Sequence, residues 1–274
     1  MSTNVNFNMS INDRKAELSK FPIANNSNFY FCSAISEYKP QDDKINVLIE
    51  DGLKELQIIE LMIKYNLKHI IQNSFQPINK KLQFISSVAN NEKDFFDQNL
   101  DLLENHTFKT KLIIKNDSDR LKIVETLLQA MGIDPASPRS QSLQEVLHEL
   151  IMNAQLSAPQ MSPLKKNLDS FLKAEKNDDM IALSMIDYYG SLNVKRFIKK
   201  IQTALLVGAR EAINYTSTGG AGLGSSIILR NSDSLLMGCI PNKVTRFTVI
   251  LPSKLSEKKL QHLQKSVHIF DYLK

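Results

Sequence analysis

Cysteine is scarce in this sequence, and its scarcity removes two classes of protein. Cys32 and Cys239 are the two thiols, far apart and each inside an apolar run. Neither belongs to a CxxC pair or a Cys/His cluster, which excludes a disulfide framework and a zinc site and leaves two buried thiols as the expectation. Long apolar runs are also missing. Nothing approaches the roughly 18 residues of a membrane span, and the opening MSTNVNFNMSINDRK has no signal-peptide core. A cytoplasmic protein without a membrane partner is therefore expected. Nor does charge of one sign dominate: 34 basic residues are interleaved with 29 acidic ones, so a net charge of +5 says little for nucleic acid. No aromatic platform accompanies the basic residues, so a nucleic-acid partner is not expected. Internal repeats are absent.

What is present is a globular composition, 42% apolar and 23% charged over 274 residues. That length suits one large or two ordinary domains, and two is the preferred reading. Residues 1–26, rich in Asn and Ser, read as a loose arm. Residues 28–34 and 44–50 have strand character, 54–65 helical period, 67–72 strand character again, and 78–104 a long helical pattern. Strand, helix, strand at this spacing is a βαβ unit, so residues 27–105 are expected to form a small α/β domain. The unit is similar to a receiver domain in degenerate form. Asp42, Asp43 and Asp51 are its candidate acidic ligands, but the third strand ends in Gln72, Asn73 and Ser74 where an aspartate is required. A generic α/β layer without regulatory meaning is the equal alternative.

From residue 106 a second pattern begins. Residues 108–115 alternate as a strand and 119–131 form a short amphipathic helix ended by Gly132. Ser142 and Glu145 read as a capping box, opening a helix over 142–158 whose buried stripe is Leu143, Val146, Leu147, Leu150, Ile151 and Ala154. Residues 158–163, with two prolines, read as a breaker, and 165–176 as a basic surface excursion. A buried strand over 180–186 stops at Asp187, Tyr188, Tyr189 and Gly190. An amphipathic helix over 194–207 follows, with Lys195, Arg196, Lys199 and Lys200 on its polar side. Gly219, Gly220, Gly222 and Gly224 then lead into a helix from Ser225, strands over 234–240 and 246–251, and a basic tail over 255–274.

Three of these segments carry chemistry. Glu149 and Asn153 are four apart on a helix and therefore side by side, a carboxylate and an amide suited to a metal-bound phosphate and a hydroxyl. The glycine cluster ahead of a helix is how backbone N–H groups are brought to a phosphate. It is not a Walker A loop, because Ser225 and Ser226 stand where Lys and Ser or Thr are required, and it lacks the GxGxxG spacing of a dinucleotide fingerprint.

Together these segments resemble the Bergerat or GHKL ATPase/kinase superfamily over residues 106–254. Residues 149–154 are similar to its N box, Asp187 to Gly190 to its first glycine box, Gly220 to Gly224 to its second, and Thr245 to Phe247 to its closing Thr-x-Phe segment. The first box departs from the DxGxG form, with Tyr189 in the place of its first glycine. The resemblance implies an α+β two-layer sandwich of the histidine-kinase-like ATPase type, preceded by the smaller receiver-like domain. It implies ATP and Mg²⁺ as cofactors, with Glu149 the general base and Asn153 the metal ligand. It also implies that Asp187 reads the adenine amino group, while Gly190, Gly220, Gly222, Leu223, Gly224 and Thr245 line the nucleotide site. None of the five histidines has the setting of a phosphoacceptor, and no transducer domain fits in the chain. The branch it resembles is the anti-sigma-factor or serine-kinase type, which implies a bacterial-type signal-transduction protein that phosphorylates a partner or hydrolyses ATP upon it. Its implied partners are an adenine nucleotide, a regulatory protein and, as one option, a second copy of the chain. The alternative is an interaction module that has lost or weakened nucleotide binding.

Overall fold

Among the residues that a computed structural model describes, nine strands form one mixed sheet. The structure describes residues 29–270 apart from 33, 34, 36, 37, 40, 42, 43, 90, 91, 116, 117, 135, 163, 166, 167, 215–222 and 256. In chain order the elements are β1 (Phe29–Cys32), β2 (Ile45–Ile49), α1 (Glu55–Tyr65), β3 (His69–Ile71), α2 (Ile78–Ala89) and a 3₁₀ turn (Glu92–Phe96). Then come β4 (Phe108–Ile114), α3 (Arg120–Ala130), α4 (Pro138–Met152), a π turn (Asn153–Ser157), α5 (Ala158–Met161), β5 (Ser170–Lys176) and β6 (Met180–Asp187). The chain continues through α6 (Val194–Asn214), α7 (Leu223–Arg230), β7 (Ser234–Ile240), β8 (Val244–Pro252), α8 (Glu257–Gln261) and β9 (Ser266–Phe270). The protein is thus of the mixed α/β class. Among the described residues no helix is long and apolar enough to cross a membrane.

The spatial order of strands is β1-β2-β3-β9-β7-β8-β6-β5-β4. β1, β2 and β3 are parallel, with α1 crossing between β2 and β3, as the βαβ spacing requires. The strands from β7 through β8, β6 and β5 to β4 pair antiparallel. β9 joins the two sets, running antiparallel to β3 and parallel to β7.

Alternation along the central strands sorts residues onto two faces. Ile181, Leu183 and Met185 of β6 and Phe247, Val249 and Leu251 of β8 join Leu143, Val146, Leu147 and Leu150 of α4 in one core. Leu48, Ile58 and Ile59, from the first hundred residues, belong to that same core, and α1 packs against α6. The opposite face, with Ala182, Ile186 and Leu236, is covered by Phe95, Phe96, Leu102 and Leu103.

Several expectations are corrected. The long α4 begins at Pro138 with Ser137 as its cap, whose side chain accepts from the Ser140 N–H. Ser142 lies inside the helix, buried, and its hydroxyl makes no hydrogen bond; Pro138 at the first helical position suits the earlier start. Helical structure enters the expected breaker over 158–163 and ends inside it at Met161; the π turn re-registers the backbone bonds just ahead of Pro159. The helical pattern over 78–104 divides into α2 and the 3₁₀ turn.

The expected surface excursion over 165–176 contains β5, which lies between β4 and β6. Its charges are satisfied internally. Lys173 Nζ lies 2.8 Å from Glu175 Oε1 and 2.7 Å from Asp101 Oδ1, while Glu175 Oε2 accepts from the N–H groups of Leu102 and Leu103 at 2.8 and 2.9 Å. The expected tail over 255–274 supplies α8 and β9, an inner strand of the sheet. The arm over 1–26, Asp42 and Asp43 lie outside the described residues.

Beside β9 sits a buried ion pair. Lys81 Nζ, on α2, lies 3.2 Å from Asp233 Oδ2 just before β7, with both side chains enclosed. The ammonium also donates to Gln72 O at 3.0 Å, to Ser266 Oγ at 2.9 Å and to the Ser74 hydroxyl. Burial pulls its pKa down, and Asp233 opposes that shift. Removing one member of such a pair leaves the other charged and desolvated. Lys81→Met is therefore expected to cost about 3–5 kcal/mol, measured by urea denaturation. Pairing it with Asp233→Leu is expected to restore part of the loss.

Candidate functional site

β6 ends at Asp187, and the polar residues gathered around that end follow from strand register. Asp187 stands opposite Thr245 of β8, which in turn stands opposite Cys239 of β7. The Thr245 hydroxyl favours the ionised form of the neighbouring Asp187 carboxyl and donates to Cys239 Sγ at 3.9 Å. Asp187 Oδ1 accepts from the N–H of Tyr189 at 3.0 Å and of Gly190 at 3.3 Å. Burial pushes the Asp187 pKa up to about 6, against the pull of these hydrogen bonds and of the Lys165 charge. The group is a desolvated carboxyl with one oxygen committed to the backbone.

Gly190 makes the tight turn possible. Its φ is +58°, and an added Cβ would meet Lys243 N at 2.4 Å, Ile240 O at 2.6 Å and Asn242 N at 2.8 Å. All three are backbone atoms of the β7–β8 hairpin. Tyr189 is fully buried and its hydroxyl accepts the Leu168 N–H at 3.2 Å. Lys165 Nζ donates to Tyr188 O at 3.0 Å, to Tyr189 O at 3.4 Å and to Asn242 O. Its segment is thereby fastened to both turns.

Glu149 and Asn153 project from the end of α4. Asn153 opens the π turn, a helix distortion often found at functional sites. Its Nδ2 donates to Glu149 Oε1 at 3.0 Å, and Ser157 Oγ approaches its Oδ1 at 3.4 Å. Burial raises the Glu149 pKa, opposed by the Asn153 hydrogen bond and the Lys200 charge. Gly224 lies in the first turn of α7, where a Cβ would fall 1.9 Å from both Cδ and Oε2 of Glu149. The carboxyl therefore rests against the backbone at the positive end of that helix. Leu223 is the first residue of α7, while Gly219, Gly220 and Gly222 lie outside the described residues.

The structure thus forms two polar groups on the helical side of the sheet: Glu149, Asn153 and Gly224, and Asp187, Gly190 and Thr245. α4 and the π turn both pack on β6, which carries Asp187. Sequence reasoning missed Lys165, Lys200 as the charge acting on Glu149, and Cys239. Lys165 binds backbone carbonyls, which leave no trace in side-chain patterns. Cys239 was detectable only through register. Lys195 and Arg196, the other basic candidates, are exposed.

A third cluster, Asp101, His106 and Glu175, has ligand atoms within 4.8 Å of one another. A cation is already there: Lys173 bridges Asp101 and Glu175, and Lys109 lies 2.6 Å from Asp101. For Asn153, the remaining oxygen Oδ1 beside Glu149 is a hard donor of the kind Mg²⁺ takes. That donor set fits a magnesium ion held chiefly by phosphate and water oxygens.

The two glycines are expected to respond differently to substitution. Gly190→Ala confronts immovable backbone at positive φ and is expected to lower stability by more than about 2 kcal/mol. Gly224→Ala meets the end of a flexible side chain, so it is expected to leave the fold largely intact and turn Glu149 away. Denaturation midpoints, with the Glu149 carboxyl followed by NMR titration, check both. Compared with protein-family models and with curated proteins, the chain matches none.

Proposed function

We propose that the protein binds Mg-ATP and acts on a partner protein in signal transduction, as a Bergerat-type ATPase or serine/threonine kinase of the anti-sigma-factor branch. The observation that carries the reading is the close approach of Gly224 to the Glu149 carboxyl, which is itself bonded to Asn153. It places a desolvated carboxylate, an amide oxygen and a helix N-terminus in one spot, the combination that phosphate chemistry uses. Asp187 adds a buried acceptor suited to an exocyclic amino group, and it lies on β6, the strand against which the helix carrying Glu149 packs. The fold reading is a histidine-kinase-like ATPase sandwich over residues 106–254, with residues 27–105 as the degenerate receiver-like part.

In this reading Mg-ATP supplies an activated phosphoryl group whose charge the metal partly neutralises. Glu149 orients the attacking hydroxyl and accepts its proton, a role favoured by the burial that raises its pKa. Asn153 offers Oδ1 to the magnesium ion. Asp187 accepts the adenine amino hydrogen through the oxygen that the Tyr189 and Gly190 N–H groups leave available. Gly190 and Gly224 hold backbone close to the ligand, and Gly220, Gly222 and Leu223 are the other proposed positions of the second glycine box. Thr245 supports Asp187.

A second reading, binding without turnover, is favoured by Tyr189, whose buried ring fills a position expected to be glycine. One set of measurements separates the two. Wild-type protein is expected to give calorimetric binding of Mg-ATP. Asp187→Asn is expected to weaken it by about tenfold or more, because the backbone N–H groups hold the acceptor oxygen and turn the new NH₂ toward adenine. Glu149→Ala is expected to retain binding while phosphoryl transfer or hydrolysis falls about 100-fold or more. Unchanged turnover in Glu149→Ala would remove the catalytic role, and no heat at millimolar Mg-ATP would remove the nucleotide reading.

A further inference from the structure

β9 joins the parallel strands to the antiparallel ones, and its hold on the two sides is unequal. Beside β7 it stays in register from Ser266, opposite Ser234, to Phe270, opposite Gly238. Beside β3 the ladder consists of His69 opposite His268 and Ile70 opposite Val267. Half of that short seam is therefore a pair of imidazoles. Both are buried, their ring centroids lie 5.5 Å apart, and the Nδ1 atoms face each other at 3.3 Å.

Such a contact needs one Nδ1–H and one Nδ1 lone pair, which two neutral rings supply. A first extra proton can enter only at Nε2 of the donor ring, and it puts a cation in the core. A second must take the accepting Nδ1, which turns the contact into N–H facing N–H.

The surroundings do not offset this charge. Lys68 acts on His69, and Lys81, from α2, acts on His268. Asp233, in the turn into β7, is engaged by Lys81, Ser74 and Ser234. The Phe270 ring meets His69 edge-on at 5.2 Å, and Leu236 of β7 stands opposite His268. Burial and the two lysines lower both imidazole pKa values, that of His69 to about 3. A His pKa held below the unfolded value of 6.5 adds stability above that pH. That stability drains away as pH falls below 6.5, because rings released from the seam take up protons and enclosed ones do not.

We infer that the His69–His268 pair is an acid-operated latch: proton uptake by the two imidazoles releases β9 from β3 and loosens the join between strands β1–β3 and the rest of the sheet. The latch does not depend on the nucleotide reading.

Hydrogen exchange of the full-length protein, read by mass spectrometry and corrected for intrinsic exchange rates, tests it between pH 7 and 5.5. One pH unit below 6.5 shifts the opening equilibrium about tenfold for each imidazole that gains a proton. Protection of the β9 amides is therefore expected to fall about 10- to 100-fold on acidification, against less than about threefold for those of β6. His268→Gln keeps a hydrogen-bonding side chain but does not titrate, and is expected to cut the β9 response to about a tenth of the wild-type value. Equal losses in β9 and β6 would make the opening global and overturn the latch. So would β9 protection indifferent to acid, or a full wild-type response in His268→Gln. The wild-type comparison of β9 with β6 decides the matter without the variant, should His268→Gln fail to fold.

Discussion

The Lys81 ammonium is the point at which the two parts of the chain are tied, and the arrangement of the sheet depends on it. It is enclosed with Asp233, and its three hydrogens are shared among Asp233, Gln72, Ser74 and Ser266. Those partners come from the end of β3, the start of β9 and the turn into β7. A desolvated cation requires such a complete shell. Once the shell closes, the order of β3, β9 and β7 is constrained at the same time. Lys265 reinforces the junction from the other side, donating to Arg230 O at 2.8 Å and Leu260 O at 2.6 Å. It thereby anchors the C-terminal end of α7 to the approach of β9. The helix that brings Gly224 to Glu149 is thus held at its far end by the same junction.

The fold was legible where apolar residues kept a clean period. α1, α3, β2, β6 and β7 lie close to where hydrophobic spacing places them, because each buries side chains that have no competing polar role. β5 was hidden by Lys173 and Glu175. Charges at inward positions normally argue for solvent, and these are tolerated because they neutralise each other and Asp101 indoors. β9 was hidden by its brevity and by His268, which packs against His69 with Nδ1 atoms 3.3 Å apart. Burial lowers the pKa of both imidazoles, that of His69 to about 3. Neutral imidazoles can occupy a core, and sequence carries no mark of protonation state. The start of α4 was misplaced for another reason: Ser137 and Ser142 both offer a capping hydroxyl, and only the backbone geometry at Pro138 decides between them.

The candidate site was legible as residue types and not as distances. Glu149 and Asn153 were paired by helical spacing alone, and the structure bonds them. Their relation to Gly224 could not be read, because it depends on how α7 approaches α4. The two carboxyls share a physical condition. Each sits on the helical side of the sheet, where burial raises its pKa, and each is compensated by neutral hydrogen-bond donors and by a lysine from elsewhere, Lys200 for Glu149 and Lys165 for Asp187. Distant lysines compensate without closing a short ion pair, which keeps an oxygen of each carboxyl open to another donor.

Tyr189 shows how a local departure can be absorbed. A large side chain beside the Asp187 turn would be expected to open it, yet the turn is tight and Gly190 keeps its positive φ. The ring is driven fully inside and its hydroxyl finds the Leu168 N–H. That bond draws in the segment carrying Lys165, whose ammonium fastens the Tyr188 and Tyr189 carbonyls to that of Asn242. The bulk that a glycine would have avoided is thus converted into a clamp between the β6 turn and the β7–β8 hairpin. The clamp leaves the Tyr189 and Gly190 N–H groups aimed at Asp187 Oδ1. The geometry of the carboxyl is therefore maintained by Tyr189, Leu168 and Lys165 acting together, and a glycine at position 189 alone would not reproduce it.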